Sequence, residues 1–148
     1  MKSENDQLLD IQIEVVQASI YCDIIKKIIA KHRSMSLIKI IAFSYIIKKR
    51  EYLKGSLYRG NNKLDVLLKF LSQGNGLFDD LCVQMPYIMQ SIDILVKDGA
   101  CEVHEGELIY DISRSSSMES FDAFTESALQ ESKMYSDRQF LREVISIV

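Results

Sequence analysis

Residues 95–112 read Leu95-Val96-Lys97-Asp98-Gly99-Ala100-Cys101-Glu102-Val103-His104-Glu105-Gly106-Glu107-Leu108-Ile109-Tyr110-Asp111-Ile112. Asp98-Gly99 closes a helical pattern, because glycine adopts the left-handed backbone that ends helices. Beyond it the apolar period falls from 3.6 to 2. Cys101 and Val103 alternate with Glu102 and His104, and Leu108, Tyr110 and Ile112 alternate with Glu107, Ile109 and Asp111. Glu105-Gly106 lies between the two runs as a tight turn, so the stretch predicts a β-hairpin.

Upstream of the hairpin, Ile88, Ile92 and Leu95 share one helical face, and Pro86 suits the first position of that helix. A small helix is expected near 77–82. A shorter one is expected over 62–73, with Leu64, Leu67, Leu68 and Leu71 on one face, and Gly74-Asn75-Gly76 stopping it. Helix, short helix, helix and hairpin is the order of a winged helix.

Two longer helices precede this unit. Ile20 and Tyr21, Ile24 and Ile25, and Ile28 and Ile29 recur every four residues and predict a helix over 13–32. Ser34 or Ser36 can cap the next, over 35–50. Its positions are apolar on nearly every side, from Leu37 to Ile47, so it belongs at the centre of the fold. Residues 51–62, with Gly55, Gly60, Asn61 and Asn62, read as a loop.

Downstream, residues 113–117 form a polar break, and Ser116 and Glu119 have capping-box spacing. A helix with Phe121, Phe124 and Ala128 follows. The last element, about 137–147, shows Phe140, Leu141, Val144, Ile145 and Val148, an apolar tail expected to dock either on its own domain or on a partner. The expected fold is mainly α with a small β-hairpin, a winged-helix-like core plus additional N- and C-terminal helices. Residues 1–112 would form the helical winged-helix-like domain and 113–148 a C-terminal helical extension.

The chain has 148 residues, 47% apolar and 26% charged, enough to bury a real core. No apolar run reaches about 18 residues, so no membrane span is expected. Residues 1–23 open with Glu4, Asp6 and Asp10, unlike a secretory leader. Three cysteines, an odd number, argue against a disulfide framework. A cytoplasmic protein with buried, reduced thiols is expected.

Charge is unevenly spread. Residues 1–23 carry net −4, residues 24–70 net +10 and residues 71–148 net −9. Such a split can mark a surface for an anionic partner. It can equally mark blocks that fold against each other, or two solvated faces.

No converging catalytic set can be assembled from the sequence, so no enzyme is expected. His32 and His104 are expected on the surface, and no cysteines or histidines have zinc spacing. No phosphate loop is present, since Gly74-Asn75-Gly76 lacks the Gly-Lys-Ser/Thr that would complete one. Neither a cofactor nor a metal is expected.

DNA reading by the winged helix itself is disfavoured. The candidate recognition helix offers Gln90, Asp93 and one lysine, Lys97, and the wing offers Glu102, Glu105, Glu107 and Asp111. Carboxylates at a phosphate backbone oppose binding. The better nucleic-acid or partner surface is the basic block. There Lys48, Lys49, Arg50, Lys54, Arg59 and Lys63 flank a loop with Tyr52 and Tyr58.

The stretches Met35-Ser36-Leu37-Ile38-Lys39-Ile40-Ile41 and Ile92-Asp93-Ile94-Leu95-Val96-Lys97-Asp98-Gly99, in a chain of this layout, carry a family resemblance. Over residues 15–112 the chain resembles the small middle component of bacterial three-component ABC-ATPase systems, the anti-phage and anti-plasmid defence group that includes Lamassu. The resemblance implies a non-catalytic assembly subunit. Its partners would be an ATPase like those of structural maintenance of chromosomes (SMC-like) and an effector, often a nuclease. DNA contact through residues 24–70 is compatible with it. The alternative is a stand-alone winged-helix DNA-binding transcription regulator.

Overall fold

A computed structural model describes residues 1–52, 66–71, 78–111, 113 and 120–147. The described residues are mostly helical, with a small three-stranded antiparallel sheet. None of their helices is long and apolar enough to cross a membrane.

The first helix, α1 (Glu4–His32), begins well before the expected residue 13. Ser3 caps it: the Ser3 hydroxyl accepts from the Asp6 amide, and the Asp6 carboxylate accepts from the Ser3 amide. This reciprocal pair fixes the first turn although no core lies beneath it. Burial starts only at Ala18 and continues through Tyr21, Ile24, Ile25, Ile28, Ile29 and His32. Arg33, at φ 69°, ends the helix and turns the chain into a short strand, β1 (Ser34–Ser36).

The central helix, α2 (Leu37–Tyr52), follows, and Ser36 Oγ accepts from the Lys39 amide at its first turn. As expected, α2 is buried along most of its length, from Ile40 through Ile47 with Ile41 only partly covered. Phe43 is fully buried between Phe70 and Phe140, whose ring centroids lie 5.1 and 5.7 Å away. Phe70 belongs to α3 (Val66–Leu71) and Phe140 to α6 (Asp137–Ile147). The apolar tail therefore docks on its own chain, through Phe140, while Leu141 and Ile145 remain exposed. The expected loop ends of α3, the glycine stop at 74–76 and the Ser116 cap lie outside the described residues. Asp122, not Ser116, caps α5 (Ala123–Ser132), accepting from the Thr125 amide.

One helix replaces the expected pair at 77–82 and 86–97. α4 (Phe78–Lys97) is continuous, with Pro86 inside it. A mid-helix proline leaves the carbonyl four residues back without a helical donor. That carbonyl belongs to Cys82, and both Cys82 and Pro86 are exposed, so water can serve it. Asp79 and Asp80 occupy the first turn, where the helix dipole favours anions.

The hairpin forms as expected from β2 (Cys101–His104) and β3 (Glu107–Tyr110). Glu105 and Gly106 both have positive φ, 50° and 78°, as the tight turn requires. β1 adds an unexpected third strand, paired antiparallel to β3 with Met35 opposite Leu108, in the order β1-β3-β2. Leu108 and Tyr110 face the core, whereas Val103 is exposed because the hairpin reaches past the core at its turn.

A single apolar cluster runs from Tyr21 to Phe140 and includes Ala128 and Leu129 of α5. Ser91 of α4 stitches α1 into it, its buried hydroxyl 2.9 Å from the Ala18 carbonyl and 2.7 Å from the Tyr87 carbonyl.

Candidate functional site

The cationic run Lys48-Lys49-Arg50 ends α2, where cations complement the helix dipole. Each of the three is held by its own chain. Lys48 is buried; its ammonium donates to Gln84 Oε1 at 2.8 Å and to Gln17 Oε1, and lies 4.8 Å from the Tyr21 ring centroid. Burial lowers the Lys48 pKa, and Asp80 only partly opposes this. Lys49 Nζ meets Asp80 Oδ2 at 2.7 Å, and that carboxylate also accepts from the Tyr45 hydroxyl at 2.8 Å. The hydrogen bond from Lys49 holds the Asp80 carboxyl below the usual carboxylate range, while burial and that same carboxylate push the Tyr45 phenol up.

Arg50 bridges α2 to α5. Its guanidinium donates to both carboxylate oxygens of Asp122, at 3.3 and 3.4 Å, and to Thr125 Oγ1. It also lies over the rings of Phe70 and Phe124, 5.5 and 4.9 Å from their centroids. Burial raises the Asp122 pKa, but the Thr125 hydrogen bond and the Arg50 charge outweigh it, and the net direction is down.

The same pattern recurs one residue further along α5, at Glu126. His32 Nε2 lies 3.1 Å from Glu126 Oε2, and Lys31 Nζ lies 3.4 Å from the same oxygen. Lys39 Nζ donates to the Tyr135 carbonyl at 2.6 Å. Among the described residues the +10 block and the −9 block therefore fold against each other along three ion pairs, Lys49 to Asp80, Arg50 to Asp122 and Lys31 to Glu126, with the His32–Glu126 hydrogen bond beside them. Lys54, Arg59 and Lys63 lie outside the described residues.

His32 is not on the surface, as expected from its basic surroundings, but buried. It continues the stripe of Ala18, Cys22, Ile25 and Ile29 at alternating spacings of four and three, a signal present in the sequence. Burial lowers its pKa, and the Glu126 bond only partly restores it. His104 is exposed, as expected. Of the thiols, Cys101 is buried and Cys22 half-buried, but Cys82 is exposed, contrary to the expectation for buried thiols. All three are free.

His32 and Lys39 also line a cleft of about 320 Å³ with Ser34, Ser36, Glu107 and Lys133. Asp80, Asp122 and Glu126 were legible only in part. Asp-x-x-Thr at 122–125 is a capping spacing, and acids at 79–80 mark a helix start. Nothing local says which cation each would meet.

No protein-family model, no curated protein and no solved structure matches the chain.

Proposed function

We propose that the chain is a non-catalytic assembly subunit that works through protein contacts, in an SMC-like ABC-ATPase defence complex with an effector. Its core is read as a winged helix in which α1, β1, α2, α4, β2 and β3 follow one another, with α3 inserted before α4. The single observation that carries the protein-contact reading is the chemistry of α4 and the wing. The exposed side of α4 presents Val83, Met89, Gln90, Asp93 and Ile94, and Lys97 there is paired with Asp93 at 2.7 Å. The wing presents Glu102, Glu105 and Glu107, with Val103 and Ile109 exposed beside them. Apolar and acidic groups suit a protein surface and oppose a phosphate backbone. The ATPase assignment rests on the resemblance at Met35–Ile41 and Ile92–Gly99.

DNA contact by such a complex is assigned to Lys54, Arg59 and Lys63, since Lys48 is buried and Lys49 and Arg50 are paired with Asp80 and Asp122. Purification of the tagged chain with its native operon tests the proposal. A coiled-coil ABC ATPase should co-purify in fixed ratio, and reversal of Glu102, Glu105 and Glu107 to Lys should weaken that association while the chain stays folded. Recovery of the chain without an ATPase, together with tight sequence-specific DNA binding by the isolated protein, would instead establish the transcription regulator.

A further inference from the structure

The N-terminal half of α1 carries an unpartnered apolar face. Residues 4–16 are exposed apart from half-buried Asp10, which accepts from Lys2. Leu8, Leu9, Ile11, Ile13, Val15 and Val16 are each 44–60% exposed, and among the described residues nothing covers them.

The order of these residues is mirror-symmetric. Leu8-Leu9-Asp10-Ile11-Gln12-Ile13-Glu14-Val15-Val16 reads, from either end, as two aliphatics, an acid, an isoleucine and the central glutamine. At about 100° per residue, the six aliphatics fall on one broad uncharged face centred near Gln12. Asp6, Asp10 and Glu14, at spacings of four, form a ridge on the far side.

We propose that this arm is an isologous dimer interface, occupied by the same arm of a second copy packed antiparallel about a two-fold axis through Gln12. An isologous contact pairs residue i with j and j with i. Mirror order gives such a contact matched layers, because residues equidistant from Gln12 lie level with each other: Leu8 and Leu9 pack against Val15 and Val16 of the second copy, and Ile11 and Ile13 flank the seam on either side. The two Gln12 amides face each other on the axis and can hydrogen-bond. Both acidic ridges point outward, so like charges stay apart and in water. Antiparallel packing also opposes the two helix dipoles. It places the two folded bodies, which begin at Ala18, at opposite ends. Parallel packing would force them together.

The area suits a weak dimer. Each aliphatic residue leaves on the order of 100 Å² exposed, so the eight inner ones and the edges of Ile11 and Ile13 bury roughly 800–1,000 Å², the size of a weak, reversible contact. A dissociation constant on the order of tens of micromolar suits an interface of that size. This inference is independent of the ATPase assignment.

Sedimentation equilibrium of the full chain, over about 1 to 200 µM, tests it. A monomer–dimer equilibrium is expected, with dimer affinity reduced at least tenfold in Leu9→Asp and Val16→Asp. These sites lie outside the core, so circular dichroism should show both variants folded. Register is read separately in a Cys82→Ser background. Gln12→Cys should cross-link into dimers on mild oxidation, and Asp10→Cys, on the outer ridge, should not. A chain monomeric throughout the range overturns the proposal, whether the face is bare or covered by its own residues. So does a dimer indifferent to Leu9→Asp, or one cross-linked equally well from position 10.

Discussion

The guanidinium of Arg50 sits 4.9 Å from the ring centroid of Phe124 while donating to Asp122, two residues before that ring. One side chain thus ties the end of α2 to the cap of α5 across 72 positions of sequence. Arg50→Ala should cost about 1–3 kcal/mol, because it removes a charge-assisted hydrogen bond and a cation–π contact together. Arg50→Lys should recover less than half of that, since an ammonium cannot reach both carboxylate oxygens and lie over the ring. Urea denaturation of the two variants measures both numbers.

Stability should fall as pH drops from 7 toward 5, and His32 should be responsible. Its folded pKa lies below its ordinary value of about 6.5 because burial disfavours the imidazolium. The unfolded chain therefore binds more protons in this window, and stability rises with pH. The contribution is present above the unfolded pKa and is lost on acidification. His32→Gln should flatten the slope between pH 7 and 5, whatever it does to absolute stability. Asp80 and Asp122, whose pKa values are lowered, add a second loss below about pH 4 with the same sign. Denaturation midpoints across pH resolve the two limbs, and an unchanged slope in His32→Gln would remove histidine from the account.

The hairpin turn can be improved at one position and spoiled at the next. Glu105 holds φ at 50°, a conformation that costs an ordinary residue about 1–2 kcal/mol. Glu105→Asn or Glu105→Gly should therefore raise the melting temperature. An added Cβ at Gly106 would meet nothing within 4 Å, yet φ is 78° there, so Gly106→Ala should lower it through backbone strain alone. Thermal melts of the three variants give the signs.

Core substitutions along α2 should follow burial position by position. Ile40 is fully buried and Ile40→Ala should cost about 2–5 kcal/mol. Ile41 is partly covered, and Ile41→Ala should cost less than Ile40→Ala. Ile38 is 36% exposed and Ile38→Ala should stay within about 1 kcal/mol. Equal costs at 38 and 40 would show that the helix is rotated.

The thiols should react in order of access. Cys82 is exposed and should be modified first by a thiol reagent in the native protein. Cys101, buried and with its pKa pushed up to about 11, should react only on unfolding. Timed mass spectrometry counts the adducts, and two fast thiols would contradict the order.

Sequence by itself determined what depends on near neighbours. The burial of α2, the Glu105-Gly106 turn and the alternation in β3 all follow from residue types and spacing within a few residues, whereas the packing of Phe140 on Phe43 does not. The acidic arm and its mirror-symmetric apolar pattern are equally local. Tertiary structure alone decided what depends on distant partners. β1 is three residues long and becomes a strand only because β3 lies beside it. Pro86 continues a helix because its side of α4 faces water, which no local rule foresees. The cationic run looked like an open surface because Asp80 and Asp122 stand 31 and 72 positions from their partners. Ion pairing is set by distance in space, and only the packing of α2 against α4 and α5 brings those charges within reach.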